Sequence, residues 1–205
     1  YQAHGGEGSN REIAGFIERE FLTEEPDTEL LEKAKDLINE FFEITRFNIY
    51  DITLQYTKIN LTRLLEQLVY EFKPMLKSKN LQCNLCVDDD IMLRCDADKI
   101  QRVFDNLLRN AVIYSFENTD ITISAQCQED TVSIIFCNHG DTLPEEKLNR
   151  IFEQFYRLDA ARSTSSGGAG LGLAIAKQIV ELHNGTIVAE SQEDQNKFSI
   201  TLPLA

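Results

Sequence analysis

The sequence predicts an α+β fold, a two-layer sandwich of one sheet against helices, preceded by a short helical hairpin. Three observations carry this. After about residue 50, strand-like and helix-like stretches mix with adjacent hairpins instead of alternating strictly, which disfavours a doubly wound sheet. A bundle-seam periodicity is confined to the residues before 50. Finally, GGAGLGLAIAK at 167–177 runs straight into an apolar helical pattern of Leu171, Ile175, Ile179 and Leu182. With 205 residues, 42% hydrophobic and 26% charged, the chain suffices for one good core plus a small second unit.

In chain order, residues 1–10 (YQAHGGEGSN) are Gly-rich and without periodicity, and read as a tail or expression remnant. Residues 11–49 form the helical region. Ile13, Phe16, Ile17 and Phe21 share one helical face, and Pro26 breaks the pattern. A second helix runs to about Phe47, with Leu30, Ala34, Leu37, Phe41 and Ile44 in alternating steps of four and three. Leu31, Ile38 and Phe42 widen that stripe beyond what a two-helix hairpin covers, which implies a partner chain or further helices.

Residues 50–205 form the second domain. Ile52, Leu54 and Tyr56 alternate as a strand. Asn60 is placed to cap a helix carrying Leu61, Leu64, Leu65, Leu68, Val69 and Phe72. Strands are expected around 81–88 and 91–95, and Asp96 then caps a helix to about Ser115. Strands at 119–128 and 131–138 turn at Glu129-Asp130. Residues 139–167 are polar and irregular, apart from a short helix after Pro144. The glycine-opened helix ends at His183-Asn184-Gly185, a left-handed C-cap sequence, and strands 186–191 and 197–202 follow.

The formal charge of −14 leaves no basic stripe, so nucleic acid is not an expected partner, nor is direct docking on an anionic membrane. No apolar run approaches the roughly 20 residues of a spanning helix, and no signal peptide opens the sequence; a soluble chain is expected. Five cysteines, an odd number, favour a reducing compartment. Cys83 and Cys86 form a C-x-x-C inside a strand-like run, where they point to opposite faces. With no second pair to complete a ligand set, they read as buried structural thiols.

Chemistry concentrates in four stretches. Gly168, Gly170 and Gly172 let a phosphate approach the backbone without meeting a Cβ. The helix behind them offers unpaired N–H groups and the positive end of its dipole, an anion site suited to a nucleotide polyphosphate. Asn106, Asn110 and Tyr114 stand at i, i+4 and i+8 on a stripe beside the core face of their helix. Mid-helix asparagines are mildly costly. Their amide oxygens suit magnesium and phosphate, and Tyr114 suits a ribose or base. Asn138, just before Gly140, carries an amide that both donates and accepts, as an adenine edge requires. Phe152, Phe155 and Tyr156 form an aromatic anchor in a polar loop, with Arg157 and Arg162 beside it. Each arginine can form a charge-assisted bond to phosphate worth about 1.5–3 kcal/mol.

In this order, Asn106–Ala111 resembles the N box of the histidine-kinase branch of the GHKL (Bergerat) ATP-binding fold. Asn138–Pro144 resembles a degenerate first glycine box, Phe152–Phe155 the F box and Gly168–Gly172 the second glycine box. The resemblance spans about residues 50–205 and is specific as a set. It implies ATP and Mg2+ as cofactors, with Asn110 as the magnesium ligand and Asn106 assisting it. Tyr114 would stack on the nucleotide, Asn138 would read adenine beside the turn at Gly140, and Arg157 and Arg162 would contact phosphate from a lid that Phe155 helps to dock. Gly168, Gly170, Leu171 and Gly172 would hold the phosphates. It further implies a protein histidine kinase that passes the γ-phosphoryl group to a histidine and then to an aspartate of a response regulator. The parent protein would be membrane-anchored with this part in the cytoplasm, and residues 11–49 would belong to its dimerisation bundle.

The hydrolase branches of the fold carry a water-activating glutamate where Asn106 stands, and an amide cannot act as a base. A nucleotide-gated module without chemistry is the remaining alternative. The sequence departs from the pattern with Asn138 for aspartate, Thr142 for glycine and Ile113 for a basic residue. His4 precedes Gly5-Gly6, so no phosphoacceptor H box is recognisable.

Overall fold

The computed structural model describes residue 38, residues 53–157 and residues 170–204. The expected tail, the helices of 11–49 apart from Ile38, Ile52, Arg162 and Gly168 lie outside the described residues. Ile38 is helical and exposed, and belongs to a compact unit, Tyr1–Asn39, separate from the unit Glu40–Ala205 that holds everything else described.

That second unit runs β1 (Thr57–Asn60), α1 (Leu61–Ser78), β2 (Gln82–Val87), β3 (Met92–Cys95), α2 (Ala97–Tyr114), β4 (Asp120–Gln128) and β5 (Thr131–His139). It continues with α3 (Glu145–Leu148), α4 (Gly172–Leu182), β6 (Thr186–Gln192) and β7 (Gln195–Pro203). Five strands form one sheet in the order β2-β4-β5-β7-β6, parallel only between β2 and β4, while β1 and β3 pair separately. The expected two-layer α+β sandwich is what forms.

Period-two burial explains the layering. Ile121, Ile123 and Ala125 of β4, Val132, Ile134 and Phe136 of β5, and Phe198, Ile200 and Leu202 of β7 all face the helices and are buried. On the helix side α2 lays Ile100, Val103, Phe104, Leu107 and Leu108 toward β5, and α1 lays Leu61, Leu65, Leu68, Phe72 and Leu76 toward β2 and α2. Phe104 and Phe136 meet with ring centroids 5.8 Å apart. Each such side chain contributes about 1.5–3 kcal/mol by leaving water. The inward rows of β5 and β7 both reach the site in an asparagine, Asn138 and Asn196, and these two are register partners.

Both expected caps are present. Asn60 accepts the N–H of Arg63 at 2.9 Å, and Asp96 accepts that of Lys99 at 3.3 Å. The strand expected through Ile52, Leu54 and Tyr56 is displaced, because residues 53–56 are irregular and pairing starts at Thr57 opposite Cys95. The cause is Asp96. It leaves β3 to cap α2, so the ladder has no further partner, and its second carboxylate oxygen takes the N–H of Gln55 at 3.0 Å.

At the other end of α4, Asn184 takes the left-handed conformation (φ 58°), one residue ahead of Gly185. Cys83 and Cys86 do lie on opposite faces, but Cys86 is exposed and not the buried thiol expected of it; it falls on the outward row of β2. No helix among the described residues is long and apolar enough to cross a membrane.

Candidate functional site

A cleft of about 610 Å3 opens between the second half of α2, the loop after β5 and the start of α4. Asn106, Asn110 and Tyr114 line it from α2, the two asparagines half-buried and Tyr114 37% exposed. The core stripe of α2 turns the neighbouring stripe toward this opening, so the placement follows from helical spacing alone.

Beneath them lie Asn138, 2% exposed, and Asn196, 6% exposed. The Nδ2 of Asn196 donates to the carbonyl of Asp141 at 3.2 Å. Among the described residues its Oδ1 has no partner, nor have the Nδ2 of Asn138 and the Nδ2 of Asn106. Leaving such a buried group unpaired costs about 1–3 kcal/mol, and three of them line one cleft.

The walls are shaped by close backbone approaches. A Cβ on Gly140 would stand 2.3 Å from the carbonyl oxygen of Tyr114 and 3.1 Å from Nδ2 of Asn196, so only glycine lets β5 leave the sheet beside the end of α2. Gly140 donates its N–H to the carbonyl of Asp194 at 2.9 Å. Thr142, where the resemblance has glycine, accepts the N–H of Asp194 at 2.8 Å and donates to its carboxylate at 3.1 Å. This ties the cleft wall to the β6–β7 turn. Lys79 lines the opening and donates to the carbonyls of Ile113 and Ser115 at the end of α2, where a cation meets the negative end of the helix.

On the facing side, Leu171 precedes α4 with no side-chain cap, so the first N–H groups of the helix have no partner within it. Gly172 lines the cleft, and a Cβ there would lie 3.2 Å from Oδ1 of Asn106. Gly170 has φ 75°, and its carbonyl accepts the N–H of Phe155 at 3.0 Å. Tyr156 and Arg157 line the cleft from that side, with Arg150 over the Tyr156 ring at 4.5 Å.

The structure thus gathers Asn106, Asn110, Tyr114, Asn138, Arg157, Gly170 and Gly172 on one cleft, with Gly140 packed directly beneath the end of α2. Leu171 is fully buried in the core and supports α4 from below. The aromatic anchor is split. Phe152 packs edge-on against Phe198 at 6.4 Å and Tyr156 lines the cleft, but Phe155, at φ 63°, is 58% exposed and not in the lining. Asn196 and Lys79 were not singled out in the sequence. Asn196 carries a signal in hindsight, since it is the one polar residue on the inward row of β7.

The family described as histidine kinase-, DNA gyrase B-, and HSP90-like ATPase matches residues 95–205. Sensor protein VanS of Enterococcus faecium is 44% identical over 99% of this chain, which spans 56% of that protein, just over half its length. The catalytic domain of histidine kinase ThkA, solved without nucleotide, is 28% identical with a TM-score of 0.66, covering 73% of this chain and 96% of that one. ThkA solved in complex with response regulator protein TrrA is 25% identical with a TM-score of 0.73, covering 97% of this chain and 58% of that one.

Proposed function

This chain belongs to the histidine kinase-, DNA gyrase B- and HSP90-like ATPase family, and on that premise we propose that it is the catalytic, ATP-binding part of a VanS-like sensor histidine kinase. The observation that carries the reading is the convergence of three unmatched buried amide atoms and the uncapped start of α4 on one cleft. Amide groups of both polarities suit a nucleobase edge, and the N–H groups of a helix start suit phosphate.

Asn138 reads the adenine edge and Tyr114 lies along the nucleoside. Asn110, assisted by Asn106, supplies amide oxygens to a magnesium ion. Such an ion takes oxygen ligands, keeps several waters and, with the phosphates bound, offsets charge on the group being transferred. Asn106 fits this role, since it stands against the first residue of α4. The backbone of Gly168–Gly172 and the side chains of Arg157 and Arg162 hold the phosphates.

The residues themselves do no covalent chemistry; they position the γ-phosphoryl group and exclude water around it. The acceptor is a histidine on a helical bundle, and the phosphoryl group passes on to an aspartate of a VanR-like response regulator. The ThkA–TrrA complex supports a partner of that kind. Residues 11–49 serve self-association in the longer protein, which is membrane-anchored with this domain in the cytoplasm. The VanS likeness supports a role in antibiotic-resistance signalling.

Calorimetry with Mg-ATP tests the reading. Asn110→Ala should weaken binding by about 100-fold or more while far-UV circular dichroism stays unchanged. Undiminished affinity in the variant, or no binding by the unaltered chain, would overturn it.

A further inference from the structure

We infer that the base end of this cleft selects poorly among purines: Asn138 and Asn196 together accept the edge of guanine or hypoxanthine as well as that of adenine. The inference rests on the nucleotide reading above and deepens it.

The two residues face each other across the β5–β7 ladder, at the cleft end of otherwise apolar inward rows. Each presents one screened, unpaired atom, a donor on Asn138 and an acceptor on Asn196. The Asn196 amide has its orientation fixed, because Nδ2 is spent on the Asp141 carbonyl and Oδ1 is thereby turned away from it. The Asn138 amide has no such bond at Nδ2, and half a turn about its last torsion exchanges donor for acceptor.

The adenine edge presents a donor at the exocyclic N6 and an acceptor at N1. Guanine and hypoxanthine present the reverse, an acceptor at O6 and a donor at N1. A carboxylate at position 138 accepts only. It would take the adenine amino group and face O6 with a buried like-polarity contact. An amide at 138 meets either order by rotating, while Oδ1 of Asn196 takes whichever donor remains. Stacking on Tyr114 adds no discrimination, since every base offers a π face.

Equilibrium titration of the full chain with the magnesium complexes of ATP, GTP and ITP decides the matter. ITP isolates the O6/N1 edge because it lacks the 2-amino group. In the unaltered chain GTP and ITP should bind within about thirtyfold of ATP, the scale of one or two hydrogen bonds. In Asn138→Asp, ATP binding should persist while GTP and ITP fall a further ~100-fold relative to it. A gap above about thirtyfold in the unaltered chain overturns the inference, as does an unchanged ratio in a folded Asn138→Asp. Should that variant not fold, the ATP-to-ITP ratio of the unaltered chain decides alone. Failure of all three nucleotides to bind would overturn the nucleotide reading itself, whereas ATP binding with ITP excluded sinks only this inference.

Discussion

The Nε2 of His183 accepts the backbone N–H of Asp96 at 3.0 Å, joining the last turn of α4 to the first of α2. Nδ1 of the same buried ring lies 2.8 Å from the Ile179 carbonyl and donates to it, since Nε2 is the acceptor. Tyr56, on the incoming chain, packs edge-on against the ring at 5.5 Å. At the opposite end of the same helix pair Gly172 meets Asn106, so the tie and the cleft are two ends of one antiparallel contact.

His183→Ala should therefore unpair the buried N–H of Asp96, while the carbonyl of Ile179 keeps the backbone N–H of residue 183. The expected loss is about 1–3 kcal/mol for that one unsatisfied group, read as a lowered midpoint in urea. The same geometry leaves His183 no free nitrogen to attack a phosphorus atom. Incubation with labelled Mg-ATP should put no acid-labile label on it, as peptide mass spectrometry can check; label at His183 would contradict the bonded ring.

Gly140→Ala tests the close approach of β5 to α2. The added carbon would stand 2.3 Å from a backbone oxygen, which cannot rotate away as a side chain can. A destabilisation of about 1–3 kcal/mol or more is expected, with loss of nucleotide binding as Tyr114 and Asn196 are pushed aside. A variant with unchanged midpoint and affinity would show that the strand end can shift freely.

Cysteine alkylation should follow burial. Desolvation pushes the Cys83 thiol up to about 11; for Cys95 burial and then the neighbouring Asp96 raise it to about 12. Only about a thousandth or less of either is thiolate at pH 8. Iodoacetamide should modify the exposed Cys86 and Cys127 first, with Cys83 gaining reactivity only as the pH approaches 11. Equal labelling rates in peptide mapping would contradict the burial.

Asp105, on α2, has its carboxyl raised above the usual value by burial and then by Glu71, against the lowering pull of Arg109 and Arg102. The folded state thus prefers the protonated form, and stability present at low pH is lost as pH rises through the raised value. Asp105→Asn, neutral throughout, should raise the thermal midpoint at pH 7. That gain should vanish below the ordinary carboxyl range. A gain that instead grew on acidification would reverse the sign.

Helices and their starts could be read from residue order because their causes are local. The stripe of Ile100, Val103, Phe104 and Leu107 and the caps at Asn60 and Asp96 depend on neighbours within a turn or two. The same spacing puts Asn106, Asn110 and Tyr114 on one side of α2 without reference to any tertiary contact. What escaped depended on distant partners. Where β1 begins was decided by Asp96, some forty residues downstream, which claimed both the cap of α2 and the N–H of Gln55. Asn196 gained significance only through its register with Asn138. Phe155 shares its stretch with Phe152 and Tyr156, but a left-handed backbone turn separates them, and side-chain type does not foretell that.

Among the described residues β7 is the last strand in order yet sits inside the sheet, with β5 on one side and β6 on the other. β6 has no other strand partner among the described residues, and the β5–β7 ladder joins residues more than fifty positions apart. A ribosome making this domain therefore releases α2, β4 and β5 well before the strand that completes them. Until Gln195–Pro203 emerges, β5 shows an open edge and half of its apolar row lacks a neighbour. The sheet is completed only once β7 has emerged, and a nascent chain stalled before it exposes apolar surface to chaperones and proteases.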